Sequence, residues 1–424
     1  MGGLGIATFG SLLVIGAPIY LVLGATAVLL LWLTGTPMIT VAQKLADELN
    51  SQTLVAIPFF VIAATFMERG GIARALIDAI TTWVGSIRGS LGLVCVLACT
   101  MFASMSGSSV ATALAMGAIL LPTMLRNGYD RSLSTGLIGA AGTVGILIPP
   151  SLAMVVYGLL ADESVPRLFL GGVIPGLLQS AMIGGWVIYQ ARKRGYPTFK
   201  VQNREEFWAI NLRAVPAYLI PLIVLGGIYG GIATVTEAAA LSAIAAVLVS
   251  VFIYRTTKVS EIVPLLADGT RHAAAIMIIV VCALVFGHWV TESGLAPALI
   301  EAAQEWGMTR WQFLIVISLL LFVLGTFLEV FAVLLIAMPV IIPLLPVFNV
   351  DPIHFGIIVT INMELALLTP PVGMNLFVLS SISKAPLLEV IRGTTPFTIL
   401  IAILMVLVIV FPELSLWLPR LVYG

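Results

Sequence analysis

Ser106-Gly107-Ser108-Ser109 and Gly142-Thr143-Val144-Gly145-Ile146-Leu147-Ile148-Pro149-Pro150-Ser151 interrupt sequence that is otherwise apolar enough to lie in lipid. Gly, Ser and Thr continue a helix poorly, and the Pro pair removes two backbone donors and pushes Ile148 out of the helical conformation. Amides and carbonyls freed by such breaks cannot face hydrocarbon, so they line a cavity or are covered by protein. Breaks of this kind mark binding sites in secondary transporters. A second stretch repeats the design: Gly325-Thr326-Phe327-Leu328-Glu329, then Met363-Glu364-Leu365-Ala366-Leu367-Leu368-Thr369-Pro370-Pro371-Val372-Gly373-Met374-Asn375.

Composition agrees with a lipid setting. Of 424 residues, 60% are hydrophobic and 9% charged, against about 25% charged in a soluble domain; mean hydropathy is +1.14. The chain reads as an all-α polytopic membrane protein with room for roughly ten spans of ~20 residues. Its zero net charge points to no nucleic-acid partner. Cys95, Cys99 and Cys282 lie in apolar runs and read as small buried hydrophobes. The N-terminus lacks a basic region, so no cleavable signal is expected.

Residues 4–33 are apolar around Gly16-Ala17-Pro18 and fit one broken span or two short ones. Residues 34–51 are polar and 53–67 apolar. Residues 68–88 set Arg69, Arg74, Asp78 and Arg88 against Ile72, Ala73, Leu76, Ile77, Ile80 and Trp83, the spacing of an interfacial amphipathic helix. Residues 89–128 carry the Ser-Gly turn between flanks of about 25 Å of helix each, which suits a re-entrant hairpin. A broken span over 131–160 and a span over 168–190 follow. The basic loop 191–213, with Arg192, Lys193, Arg194, Lys200, Arg204 and Arg213 against Glu205 and Glu206, is expected to be cytoplasmic and to separate the halves 1–190 and 214–424. In the second half, spans are expected at 214–232, 233–254 and 273–291. An interfacial helix then follows at 292–310, a hairpin at 312–348, a broken span at 352–382 and a last span at 394–418.

The halves align. Gly71–Asp78 matches Gly294–Glu301, and Pro122, Asp130, Pro149 and Pro150 match Pro343, Asp351, Pro370 and Pro371, each of these four 221 residues later. Charge sets their orientation. Residues 68–88 carry three Arg, and Arg126 and Arg131 flank Asp130; residues 292–310 carry one Arg and three Glu, and no Lys or Arg flanks Asp351. By the positive-inside rule the ends of the first repeat are cytoplasmic and those of the second external, so the repeats are expected to be inverted.

Ser106-Gly107-Ser108-Ser109-Val110-Ala111-Thr112, Gly128-Tyr129-Asp130, Gly142 to Ser151 and Thr369-Pro370-Pro371-Val372-Gly373-Met374-Asn375 closely resemble the large membrane subunit of tripartite ATP-independent periplasmic (TRAP) transporters, over essentially the whole chain. The resemblance implies a sodium-coupled importer of organic acids in a bacterial or archaeal inner membrane. It implies an elevator, in which a transport domain slides against a scaffold. It also implies two partners besides the lipid bilayer: a small four-helix membrane subunit, expected as a separate chain, and a soluble periplasmic substrate-binding protein.

Hydroxyls and freed carbonyls are hard-oxygen ligands that suit Na+, the expected coupling ion. One set of candidates is Ser106, Gly107, Ser108, Ser109, Gly142, Thr143, Gly145 and Pro149. The other is Gly325, Thr326, Glu329, Glu364, Thr369 and Pro370. The serines also read as caps of hairpin helices, and Glu364 as a cap of a half-helix. Glu329, an intramembrane carboxylate, reads as functional, binding a cation or taking up a proton. Substrate candidates are Ser108, Pro150, Ser151, Glu329, Pro371 and Asn375, with helix N-termini at both tips facing the anion. His272, His288 and His354 are scattered, and no metal site is expected. The eight Trp sit mostly near span ends, as interfacial anchors do.

Other classes fit less well. A serine enzyme needs a base, and the first half has no His; an ATP-driven pump brings a GxxxxGK[ST] motif, which is missing. A re-entrant channel or scaffold, or an ion-coupled carrier working without a binding protein, remains the alternative. Orientation is directly testable. Single cysteines at Arg74 and Glu301 in a cysteine-free background are expected to label from outside the cell at Glu301 and not at Arg74; equal labelling contradicts an inverted repeat.

Overall fold

The computed structural model of the chain describes residues 2–198 and 204–424. Those residues form helices joined by short turns, with no β-strand among them. Helices α1 (Gly2–Val14) and α2 (Ile19–Leu33) divide the first apolar run at Gly16-Ala17-Pro18, so it is two helices. Residues 34–51 hold a helix, α3 (Met38–Leu49). Next, α4 (Gln52–Arg69) and α5 (Ile72–Val84) meet at a 66° bend, where Gly71 adopts a φ of +75°. The first hairpin is α6 (Ser90–Ser106) and α7 (Ser109–Arg126), the first broken span α8 (Arg131–Leu147) and α9 (Leu152–Ala161), and α10 (Val165–Arg194) follows.

The second half opens with α11 (Arg204–Tyr229), α12 (Val235–Leu248), whose end is a π-helical turn over Val249–Ile253, and α13 (Ile262–Glu292). The earlier order then recurs: an amphipathic helix α14 (Leu295–Glu305), a hairpin of α15 (Arg310–Phe327) and α16 (Val330–Ile341), a broken span of α17 (Pro352–Leu367) and α18 (Met374–Ser383), and α19 (Leu387–Val410). A short helix, α20 (Glu413–Tyr423), ends the chain as described. Among the described residues, eight helices are long and apolar enough to cross a membrane, and the bent α4–α5 pair is a ninth.

Several boundaries differ from the sequence reading; the span expected at 273–291 starts at Ile262, so Arg271 is helical. The expected linker 191–213 is helical at both ends: α10 runs to Arg194 and α11 starts at Arg204, while residues 199–203, Lys200 among them, lie outside the described residues. Charged residues at a helix end extend it beyond the bilayer, so an apolar window misses them. For the same reason the last span starts at Leu387, including Glu389 and Arg392, rather than at 394; it stops at Val410 because Pro412 follows.

Two helices lie at the centre. In α8 every residue from Leu133 to Leu147 is buried, and in α17 every residue from Ile353 to Leu367. A helix without a polar face is stable only when packed all round. Gly and Ala make up much of α8, so neighbouring backbones approach closely. A Cβ at Gly136 would sit 2.0 Å from the Gly393 carbonyl oxygen of α19, and a Cβ at Gly393 2.0 Å from that of Ser132. A second, smaller core consists of Phe66, Met67, Ile72, Leu76, Ile220, Ala246 and neighbours, all from α4, α5, α11, the α12 segment and α13.

This crossing gives a stability prediction. Gly136→Val forces two backbones apart and is expected to cost at least about 1–3 kcal/mol. Gly185→Ala, where nothing lies within 4 Å, is expected to gain about 0.5–1 kcal/mol of helix stability. Melting curves of the detergent-purified variants measure both; equal midpoints would mean that the crossing is not as close as described.

Candidate functional site

The first hairpin turns at Gly107, whose φ of +64° is the left-handed conformation that suits glycine. Around it the hydroxyls satisfy the turn. Ser108 is the N-cap of α7 and accepts from the Ala111 amide at 3.3 Å. Thr112, one turn on, donates to the Ser108 carbonyl at 2.9 Å, and its oxygen lies 2.9 Å from the Ser106 hydroxyl. At the second tip Glu329 is the N-cap of α16, accepting from the Phe331 amide at 3.0 Å. Thr326 donates to the Val323 carbonyl at 2.8 Å.

The breaks are closed in the same economical way. Ser151 donates to the Ile146 carbonyl at 2.5 Å and caps α9. Thr369 donates to the Leu365 carbonyl at 2.6 Å, and Gly373 at φ +54° starts α18. Both Pro-Pro bonds, Pro149-Pro150 and Pro370-Pro371, are cis. The first pair is buried and the second exposed.

Each tip touches the break of its own half. Gly107 lies against Leu152, Gly145 against the backbone of Ala103, and Gly142 near the Ser109 carbonyl. In the second half the Gly373 amide donates to the Thr326 carbonyl at 3.0 Å, and Gly325 lies against Ala366. The halves also cross. Helix α18 packs on α7, and α16 on α9. Asn375, expected to serve the second break, donates to the Ser109 hydroxyl of the first tip at 2.6 Å. Glu364 is fully buried in the last turn of α17, and its carboxyl accepts from side chains of the first half rather than from a helix-end amide, so it is not the half-helix cap expected. It faces the first half, accepting from Thr143 at 3.2 Å and from the Gln179 amide. Its other oxygen, Oε1, and the Gln179 Oε1 are buried without a hydrogen-bond partner.

Thr143 and Glu364 lie 221 residues apart, the offset that relates the halves. The two positions that the sequence alignment of the halves pairs thus meet side by side.

The tips approach each other. Gly107, Ser108 and Ser109 with Glu329, Val330 and Phe331 enclose a gap of about 10 Å3, room for one water-sized particle. Beside it lies a cavity of about 490 Å3. One wall consists of Ser106, Ser108, Glu329 and neighbours from the two tips. The other consists of Thr65, Glu68 and Arg69 of α4 with His272 and Ile276 of α13. The sequence reading missed Arg69, His272, Thr112 and Gln179. Gln179 carried a signal, a lone amide inside an apolar span; Arg69 carried one too, a cation closing the apolar run 53–67. Among the described residues no cluster of His, Cys, Asp and Glu could hold a metal ion.

Residues 6–414 match the family described as tripartite ATP-independent periplasmic transporter, DctM component. The chain is 39% identical over 381 residues to the C4-dicarboxylate TRAP transporter large permease protein DctM of Pseudomonas aeruginosa, covering 90% of this chain and 89% of that one. It is 34% identical over 424 residues to the ectoine TRAP transporter large permease protein TeaC of Halomonas elongata, covering 99% of both. Among solved structures, the YdaH transporter of Alcanivorax borkumensis superposes with a TM-score of 0.67 at 13% identity, covering 90% of this chain and 88% of that one, a likeness of fold alone.

The buried amide–carboxylate contact predicts non-additive stability. Glu364→Leu strands the Gln179 amide, at an expected cost of about 1–3 kcal/mol for the orphaned group beyond the change in packing. The double variant Gln179→Leu/Glu364→Leu is expected to melt higher than Glu364→Leu alone. Strict additivity in this double-mutant cycle would show that the two side chains do not interact.

Proposed function

Because this chain belongs to the DctM component of the TRAP transporters, the large permease of a secondary transporter that works with a small membrane subunit and a periplasmic binding protein, we propose that it imports an organic acid or similar small solute by sodium-coupled elevator transport in a bacterial inner membrane. As a member of that family it is a transporter and not an enzyme. The observation that carries the transport mechanism is the cavity between the two tips and the α4–α13 wall. A solute held there touches both the packed unit around α8 and α17 and helices α4 and α13, which share the smaller core with α5, α11 and α12. Sliding one against the other exposes the same tips to either side in turn, and inverted repeats make the two end states near equivalents. In this reading residues 1–190 and 214–424 are the two repeats, the hairpins α6–α7 and α15–α16 are re-entrant, and α5 and α14 are scaffold arms.

One sodium ion is assigned to Ser106, Gly107, Ser108 and Ser109 with Gly142, Thr143, Gly145 and Pro149. Gly142 lies near the Ser109 carbonyl and Gly145 against Ala103, and hydroxyl and carbonyl oxygens suit a hard cation. A second is assigned to Gly325, Thr326 and Glu329 with Thr369, Pro370 and the backbone near Glu364. The solute is assigned to the cavity, close to Ser108 and Glu329, with Pro150, Ser151, Pro371 and Asn375 shaping the breaks behind it. The N-terminal ends of α7 and α16 offer positive dipole ends to a carboxylate. Arg69, on the opposite wall beside Glu68 and paired with Asp268 at 3.3 Å, is a cation of a kind that the tips lack.

Reconstitution tests this reading. In liposomes containing the small subunit and supplied with binding protein, uptake is expected to require a sodium gradient and to vanish when binding protein is omitted. Ser108→Ala removes an oxygen ligand and Glu329→Gln the carboxylate charge, each worth about 1–3 kcal/mol, so sodium half-saturation should rise at least several-fold, a tenfold change being ~1.4 kcal/mol. Solute affinity of the binding protein should stay the same, as should uptake by Arg204→Ala. Site variants that follow wild type across the whole sodium range would remove these residues from the cation sites.

A further inference from the structure

A second large cavity, of about 480 Å3, lies away from the tips, where the arm α5 meets α11 and the end of α12. Arg74 and Asp78 of α5 and Arg213 of α11 line it, with Tyr254 and Thr256 closing the far side. Its walls are fixed by hydrogen bonds. Tyr254 donates to the Arg213 carbonyl at 2.8 Å, which holds α11 to the end of α12. Ser250 donates to the Phe66 carbonyl at 3.1 Å, and Thr256 to the Ser250 carbonyl at 3.3 Å. Gly71 seats against Thr256 so closely that a Cβ would lie 2.8 Å from its methyl group. The pocket is therefore formed before anything binds.

Its chemistry is that of an anion site with an apolar rim. Among the described residues neither the Arg74 nor the Arg213 guanidinium makes a hydrogen bond or an ion pair with another side chain within contact distance. Asp78, one turn along α5 from Arg74, is the acid in the wall, so the two guanidinium groups outnumber it. The first turn of α5 adds amides that no side chain caps. Ile210, Leu212, Pro216 and Ile253 complete the lining, and Leu212 and Ile253 are well exposed. A free phosphate gains nothing from that rim, whereas an acylated one does. Arg255 and Lys258 follow directly, and basic segments at membrane ends collect anionic headgroups.

We infer that this pocket binds the phosphate of an anionic membrane phospholipid, held by Arg74 and Arg213 with its acyl chains over Leu212 and Ile253. A lipid there ties the arm to α11 and stiffens the body against which the packed unit moves. The site does not depend on the identity of the coupling ion or solute.

Native mass spectrometry on the complex of this chain with its small membrane subunit, in detergent with added phosphatidylglycerol or phosphatidylcholine, tests the inference. Wild type is expected to retain phosphatidylglycerol about tenfold more strongly than phosphatidylcholine, the effect of one charge-assisted contact or more. Arg74→Ala/Arg213→Ala should lose that preference, Arg74→Lys/Arg213→Lys should keep part of it, and Arg126→Ala should match wild type. Both arginines are exposed, so the variants are expected to fold, which an unchanged melting midpoint in lipid-free detergent checks. Equal phosphatidylglycerol retention by wild type and the double alanine variant overturns the site. Displacement of the lipid by inorganic phosphate at comparable concentration overturns the assignment to lipid in favour of a free anion.

Discussion

A helix broken inside hydrocarbon has no water to complete its hydrogen bonds, and each polar group left open costs several kcal/mol. That constraint organises this protein. Four interruptions lie at its centre, and each is closed by a side chain placed within a few residues of the break: Ser108 on the Ala111 amide, Ser151 on the Ile146 carbonyl, Glu329 on the Phe331 amide and Thr369 on the Leu365 carbonyl. Local closure is incomplete, because a break frees more groups than one side chain can serve. Protein must cover the rest: α10 backs the first break, with Gly172 against the Leu147 carbonyl and Gly176 against Ile148, and each tip lies against the break of its own half.

The way they meet ties the halves into one body. Each hairpin packs its first helix on the broken span of its own half, α6 on α8 and α15 on α17, and its second on the distal half-helix of the other, α7 on α18 and α16 on α9. Asn375 to Ser109 is one side-chain bond across this exchange, and Thr143 to Glu364 joins the halves between α8 and α17. Displacing one hairpin alone would strand buried polar groups in both halves. Yet the halves are not copies. Ser108 and Glu329 occupy equivalent caps, 221 residues apart in the numbering, but one brings a neutral hydroxyl and the other a carboxylate. The first Pro pair is buried and the second exposed. Two cations at the tips would therefore sit in unequal fields and with unequal access.

The elements were legible in the sequence because Gly, Pro and Ser punctuate them: both hairpins and both broken spans have the expected order and nearly the expected ends. The helices at 38–49 and 413–423 were not, since a short amphipathic helix leaves no long apolar run. The site was legible in its residues and less so in its pairings. Nothing local to Asn375 says that it reaches Ser109, because that depends on how α18 crosses α7. Glu364 was the nearer miss. The 221-residue offset already made it the counterpart of Thr143, and side chains near a two-fold axis tend to meet their own equivalents. Gln179 is a further case: a buried amide in a span announces a partner without naming it.

Packing distances bear on which surfaces can slide. Within the unit around α8 the backbones interlock: a Cβ at Gly145 would lie 2.2 Å from the Ala103 carbonyl carbon, as close as the Gly136–Gly393 crossing. At the boundary between α13 and α16 the contact is ordinary, with a Cβ at Gly287 3.4 Å from Pro339, and next to it the 490 Å3 cavity separates the tips from α4. Interlocked backbones resist relative motion because every step opens voids or clashes. A surface in plain van der Waals contact, bordered by a cavity, can shift by exchanging one apolar neighbour for another at little cost. The elevator reading requires this contrast, rigid where the tips and breaks meet and loose where they face α4 and α13, and the distances run in that direction.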